Sequence, residues 1–174
     1  MISVSDNFLS SPELEYHKNI LLSKVNNDTL QSIGMWMNSY EMESGDSKHI
    51  HKKLGIVWKT TCEKIQTYFL DTLNIEVEPY SIRYQCMTDR YVIHPHLDGS
   101  VREKSLDASY TSILYLNDTW DESLGGNFQI DNISLPSLPN RLIIYSRDEL
   151  HSVSKPTKEW KIPRMLLLVS WNKI

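Results

Sequence analysis

The chain has 174 residues, 40% of them hydrophobic and 23% charged, which suits one ordinary core and excludes a disordered or collagenous chain. Eighteen Lys and Arg against 22 Asp and Glu give a net charge of −4, without the basic excess that counterion release from nucleic acid calls for. Cys62 and Cys86 are too few for a disulfide framework or a CxxC zinc site, so two reduced, partly buried thiols in a cytoplasmic chain are expected.

The opening MISVSDNFLSSPEL carries neither a basic n-region nor an apolar h-region, so no secretory signal is read there. The longest apolar run, from Met165 to Val169, is far short of the ~20 residues of a membrane span. With no repeat, low-complexity tract or linker, residues 1–174 read as a single domain: helical support over 1–75, strands over 76–174.

Ser11 reads as a helix N-cap before Pro12 at the first helical position, with Glu13 and Glu15 in the first turn, and Leu14, Leu21 and Val25 continue at helical spacing. A polar stretch over 38–48 follows. Ile50, Leu54, Val57, Trp58, Ile65 and Phe69 then trace one apolar stripe of a second, longer helix. His17, His49 and His51 fall on polar helix faces and are expected in solvent. From Ile75 the period changes to two: Tyr80, Ile82, Tyr84 and Cys86 alternate with Ser81, Arg83 and Gln85. Further strands are predicted over 91–96, 110–117, 127–130, 141–146, 152–155 and 164–171, separated by turn signals such as Asp98-Gly99 and Gly125-Gly126. So many short strands with no helix between them argue an antiparallel barrel or a double-sheet jelly roll, and helices gathered before them make the class α+β.

Within YVIHPHLDGS, residues i and i+2 of a strand share a face, so His96 and Asp98 project together. An imidazole beside a carboxylate is two thirds of the facial triad of non-haem Fe(II) oxygenases. A third ligand must come from a distant strand, and of six histidines only His151 lies downstream. His94 shares the face of His96, but the HxD spacing favours His96. Further on, Arg164 opens the strand RMLLLVSW, where a buried guanidinium could grip a carboxylate through two parallel hydrogen bonds.

His96-x-Asp98, then His151, then Arg164, on a late series of short strands, resembles the Fe(II)/2-oxoglutarate-dependent dioxygenases, and within them the prolyl-hydroxylase-like branch. PHLD at the first ligands, YLN ending at Asn117, GGNF from Gly125, RLIIYS before His151 and the opening VSDNFLSSPEL carry the likeness. The resemblance implies a double-stranded β-helix, the jelly roll, with the N-terminal helices on one face. It implies His96, Asp98 and His151 as iron ligands and Arg164 as partner of the distal carboxylate of 2-oxoglutarate, with Arg147 and Lys161 as the alternative basic residues. Tyr115 and Tyr84 are implied as tyrosines near the same cosubstrate; the competing reading makes both plain core.

The cofactors implied are Fe(II), 2-oxoglutarate and O₂, with ascorbate as an accessory reductant. The reaction implied is hydroxylation with release of succinate and CO₂, since a carboxylate at position 98 leaves no ligand place for a halide. The substrate expected is a prolyl residue in a peptide or protein, with a free amino acid next. A nucleobase is disfavoured, because MLLLVSWNKI after Arg164 contains no second Arg and the net charge is negative. A metal-binding jelly roll without turnover is the non-enzymatic alternative. The polar segment 99–109 is expected to form a lid, and the five tryptophans to be core or loop anchors.

Overall fold

The computed structural model describes residues 1–41, 47–98 and 108–174, with side chains described outside 38–55 and 99–108. Three α-helices, α1 (Ser11–Lys24), α2 (Asn27–Ile33) and α3 (Ser47–Tyr68), precede most of the strands. Strands β1 (Ile2–Ser5), β2 (Met35–Glu41), β3 (Val77–Met87), β4 (Ala108–Tyr115), β7 (Leu142–Ser146) and β9 (Arg164–Lys173) form one antiparallel sheet in the order β1-β7-β4-β9-β3-β2. A smaller sheet has the order β6 (Ile133–Leu135), β5 (Phe128–Ile130), β8 (His151–Val153). This is the double-stranded β-helix.

Alternation along the strands of the large sheet divides the interior into two apolar layers. Ile82, Tyr84, Cys86, Leu167, Val169 and Trp171 turn toward Trp58, Cys62, Ile65 and Phe69 of the helical segment. Met87, Ile113, Tyr115, Ile143, Tyr145 and Leu166 turn the other way, toward Phe128 and Ile130 of the small sheet. A sheet covered on both faces is apolar at both parities. Trp58 and Trp171 are fully buried, and burial of such side chains contributes roughly 1.5–3 kcal/mol each or more.

Residues 1–75 are not all helical. β1 and β2 belong to the large sheet, β1 beside β7 and β2 beside β3, and the short α2 links α1 to β2. The cap of α1 is Ser10 rather than Ser11: its N–H and hydroxyl both donate to Glu13, at 2.9 and 2.6 Å. His17, expected in solvent, is fully buried between the Tyr84 hydroxyl at 2.7 Å and the Thr61 hydroxyl at 2.8 Å. The side chains of His49 and His51 lie outside those described. Residues 91–96 form no strand, since Pro95 has no donor for a ladder. The segment is held instead by Val153 N–H on the Ile93 carbonyl and by a single bridge between His96 and His151. The expected lid falls almost wholly outside the described residues; its last two, Ala108 and Ser109, open β4.

Candidate metal centre and cosubstrate pocket

The backbone brings the two halves of the motif together before any side chain acts. His96 N–H donates to the His151 carbonyl at 2.9 Å, and His151 N–H returns to the His96 carbonyl at 3.0 Å. Their rings therefore stand side by side, with centroids 4.4 Å apart, and Asp98, two residues on from His96, lies beside them. One ligand atom each from His96, Asp98 and His151 lies within 4.8 Å of the others. Asp98 Oδ1 stands 3.7 Å from His96 Nε2 and 3.6 Å from His151 Nε2.

Hydrogen bonds prepare these donors for an ion. His96 Nδ1 lies 2.9 Å from the His94 carbonyl, and His151 Nδ1 lies 2.9 Å from the Glu149 carbonyl. A carbonyl only accepts, so each Nδ1 carries a hydrogen and Nε2 is the nitrogen each ring turns toward the shared point. Asp98 Oδ2 accepts from Thr111 at 2.9 Å and from Tyr145 at 2.8 Å, which leaves Oδ1 for a metal. Burial works to raise the Asp98 pKa, but His151, Tyr145 and Thr111 outweigh it and hold the carboxyl well below the usual carboxylate range. Two imidazole Nε2 atoms and one carboxylate around a shared point are a donor set that fits Fe(II).

The cavity beside the triad has a volume of about 120 Å³ and is lined by residues from both sheets, Arg164 among them. Arg164 is 1% exposed and makes no ion pair among the described residues. Its Nε donates to Ser137 at 2.9 Å and its Nη2 to the Tyr115 hydroxyl at 2.9 Å, and it lies 5.1 Å from the Tyr115 ring centroid. A buried guanidinium held only by neutral groups lacks a counter-charge, a costly arrangement that an anionic ligand would relieve. Asn117 fixes its position: its side-chain amide donates to the Pro163 carbonyl and accepts from Met165 N–H, both at 2.8 Å, one on each side of Arg164.

The structure thus gathers His96, Asp98, His151 and Arg164 around one space, with Tyr115 buried behind Arg164, bonded to it and outside the lining. It does not bring Tyr84 there. Tyr84 lies on the opposite face of β3, packed with the helices and bonded to His17, while Arg83, Gln85 and Met87 face the cavity side. Its position fits the core reading. Lys161 is exposed; Arg147 is buried, with Nε unpaired, and lies outside the cavity lining. His94 is exposed and stands apart from the cluster. Tyr145, Thr111 and Ser137 had no role assigned from sequence. Only Tyr145 carried a signal there, as the residue two past Ile143 on the strand before His151. Cys62 and Cys86 are buried free thiols whose pKa values burial pushes up to about 12, so both stay protonated.

The family model of the 2OG-Fe(II) oxygenase superfamily matches residues 82–171, and the chain belongs to that superfamily. The fold resembles that of a prolyl-4-hydroxylase from Pseudomonas putida, with a TM-score of 0.66 at 13% identity over 99% of this chain and 92% of that one. A prolyl hydroxylase from Trichoplax adhaerens, in complex with a peptide fragment of a hypoxia-inducible factor, gives 0.64 at 13% identity over 98% and 83%. SnoN, a non-haem epimerase of nogalamycin biosynthesis, gives 0.63 at 9% over 98% and 78%. No curated protein sequence matches the chain. Among the described residues no helix is long and apolar enough to cross a membrane.

Proposed function

We propose that His96, Asp98 and His151 hold Fe(II), that Arg164 and Tyr115 hold the distal carboxylate of 2-oxoglutarate, and that the chain, as one domain, hydroxylates a prolyl residue of a peptide or protein. The observation that carries this reading is the pairing within one cavity of a three-ligand cluster and a buried arginine without a counter-ion. Iron bound there with 2-oxoglutarate and O₂ would supply oxidative decarboxylation to succinate and CO₂, coupled to hydroxylation. The chain's own residues do the rest. The two Nδ1–H groups hold the imidazole rings in orientation, Thr111 and Tyr145 hold the carboxylate, and Arg164 with Tyr115 orients the cosubstrate. The apolar walls of Ile113, Phe128 and Leu166 keep water from the reacting space.

The fold likeness to two prolyl hydroxylases, one of them bound to a peptide, supports a prolyl substrate. A free amino acid is the second reading, favoured by the small volume of the cavity. Purified protein supplied with Fe(II), 2-oxoglutarate and O₂ should form succinate, faster when a proline-containing peptide is present. Asp98→Ala and His151→Ala should each lower turnover by at least ~100-fold, on the scale of losing a group that organises the reacting centre. Retained turnover in either variant would remove that residue from the ligand set.

A further inference from the structure

Arg83 is a second arginine of the same cavity, and neither the iron ligands nor the cosubstrate partners account for it. It is half-buried, and it forms no hydrogen bond, ion pair or ring contact among the described residues. The register places it. Arg83 pairs with Leu168, Leu168 with Ile113, and Ile113 with Ile143, so these four residues form one rung across the sheet. The next rung holds Thr111 and Tyr145, the donors to Asp98. In the other direction, Gln85 pairs with Leu166 and then Met87 with Arg164. Arg83 therefore lies level with the space between the triad and the Arg164 end, two strands to the side of β4, which is roughly 10 Å. With Gln85 and with Met37 of the edge strand β2 it lines the side of the cavity where the large sheet ends.

Charge sets what such a residue can recognise. If the site is loaded as proposed above, the ferrous ion and Arg164 offset the Asp98 carboxylate and the two carboxylates of 2-oxoglutarate. Arg83 then leaves one positive charge on the cavity wall without a partner among the described residues. A planar guanidinium at a partly desolvated wall binds a carboxylate through two parallel hydrogen bonds. We propose that Arg83 is the residue that recognises the substrate, and that it does so by pairing with a carboxylate the substrate carries beside the carbon to be oxidised. The inference rests on the iron and 2-oxoglutarate reading of the site. It narrows the substrate class to molecules with an anionic group at that position: a free amino acid offering its α-carboxylate, or a peptide with an acidic residue next to the target.

The test uses the full chain loaded with Fe(II) and 2-oxoglutarate without oxygen, so that binding is measured apart from turnover. Calorimetry compares each of the twenty L-amino acids with its carboxamide, and blocked tripeptides carrying Glu or Gln on either side of a central proline. The expected result in the wild type is that at least one carboxylate probe binds about tenfold or more tightly than its amide partner, as loss of one close charge pair implies. Arg83→Gln should bring that pair to within about twofold, and Arg83→Lys should retain part of the preference. Affinity for 2-oxoglutarate should change by less than about twofold in both variants. A preference in the amino-acid arm identifies a free amino acid, and one in the tripeptide arm an acidic peptide. Tight 2-oxoglutarate binding with no carboxylate preference in either arm, or a preference that survives Arg83→Gln, overturns the assignment of Arg83 alone. Failure of the wild type to bind 2-oxoglutarate overturns the underlying site reading along with it.

Discussion

His17 is neutral in the folded chain because it is enclosed. Burial lowers its pKa to about 4, against a smaller opposing pull from Glu13, while the Tyr84 and Thr61 hydroxyls occupy both ring nitrogens. In the unfolded chain the same imidazole takes a proton near pH 6.5. Between pH 6.5 and about 4 the unfolded state therefore binds more protons, and stability falls as the pH falls through that window. From pH 7.5 to pH 5 the wild type should lose ~2 kcal/mol at this site, and His17→Gln should lose much less. Urea unfolding at the two pH values measures the difference, and equal losses in the two proteins would rule out His17 as the source. Glu13 acts in a lower window: its pKa is held at about 2, so its contribution is lost only as pH falls below about 4.5. Single residues were unevenly legible in the sequence. His96, Asp98, His151 and Arg164, which the fold brings to one cavity, stand out by type and order alone. Tyr84 was left open between cosubstrate and core because alternation shows that two faces exist without saying which meets the cavity, and β3 is apolar on both. Ser137 gave no signal, since its hydroxyl matters only once Arg164 arrives from a distant strand.

At the scale of elements, the long connection between His151 and Arg164 is anchored by two glycines. Gly125 at φ +73 and Gly126 at φ +71 lie where the chain approaches residues 155–160 most closely. A Cβ on Gly126 would meet Trp160 Cζ2 at 2.6 Å, and Trp160 itself stacks edge-on against Trp120 with ring centroids 5.1 Å apart. The Gly126 carbonyl accepts from Ser137, whose oxygen accepts from Arg164 Nε, so the glycine turn is tied to the cosubstrate end of the cavity. Gly126→Ala should cost roughly 2–4 kcal/mol, from a left-handed backbone and a displaced tryptophan together. It should also weaken 2-oxoglutarate binding by disturbing Ser137. Urea unfolding and calorimetry check the two parts, and a stability loss below ~1 kcal/mol would mean that Trp160 moves aside freely. Elements were legible where their periods were long and regular. The stripe from Trp58 to Phe69 and the alternation in β3 were visible. The seven residues of β2, MWMNSYE, pair with β3 as an edge strand, and the last four of them, with Asn, Ser and Glu, read as the start of the polar stretch over 38–48. The four residues of β1 are too few to show a period, and their place beside β7 is a long-range pairing.

Across the whole molecule, the large sheet separates stability from chemistry. The helix-facing layer holds Trp58, Phe69 and Trp171 in close packing, while the other layer surrounds a cavity whose buried Arg164 has no counter-ion among the described residues. Burying a charge without a counter-ion destabilises a fold, and replacing it by an apolar side chain of similar length removes that penalty. The cavity layer is therefore where this chain gives up stability for ligand binding. The proposed role of Arg164 makes the trade measurable. Without ligands, Arg164→Met should melt at or above the wild-type temperature, although it removes hydrogen bonds to Ser137 and Tyr115. With Fe(II) and 2-oxoglutarate at about 100 times its dissociation constant, the wild type should gain ~2.7 kcal/mol from the cosubstrate, or roughly 5–10 °C at this chain length. The variant should gain only what the metal gives. Helix-face changes such as Ile65→Val should do the opposite, lowering the melting temperature in both states and leaving the ligand-induced rise unchanged. A wild-type-sized rise with 2-oxoglutarate in Arg164→Met would place the carboxylate partner on another residue. A large fall in its unliganded melting temperature would show that the Ser137 and Tyr115 hydrogen bonds outweigh the cost of the buried charge.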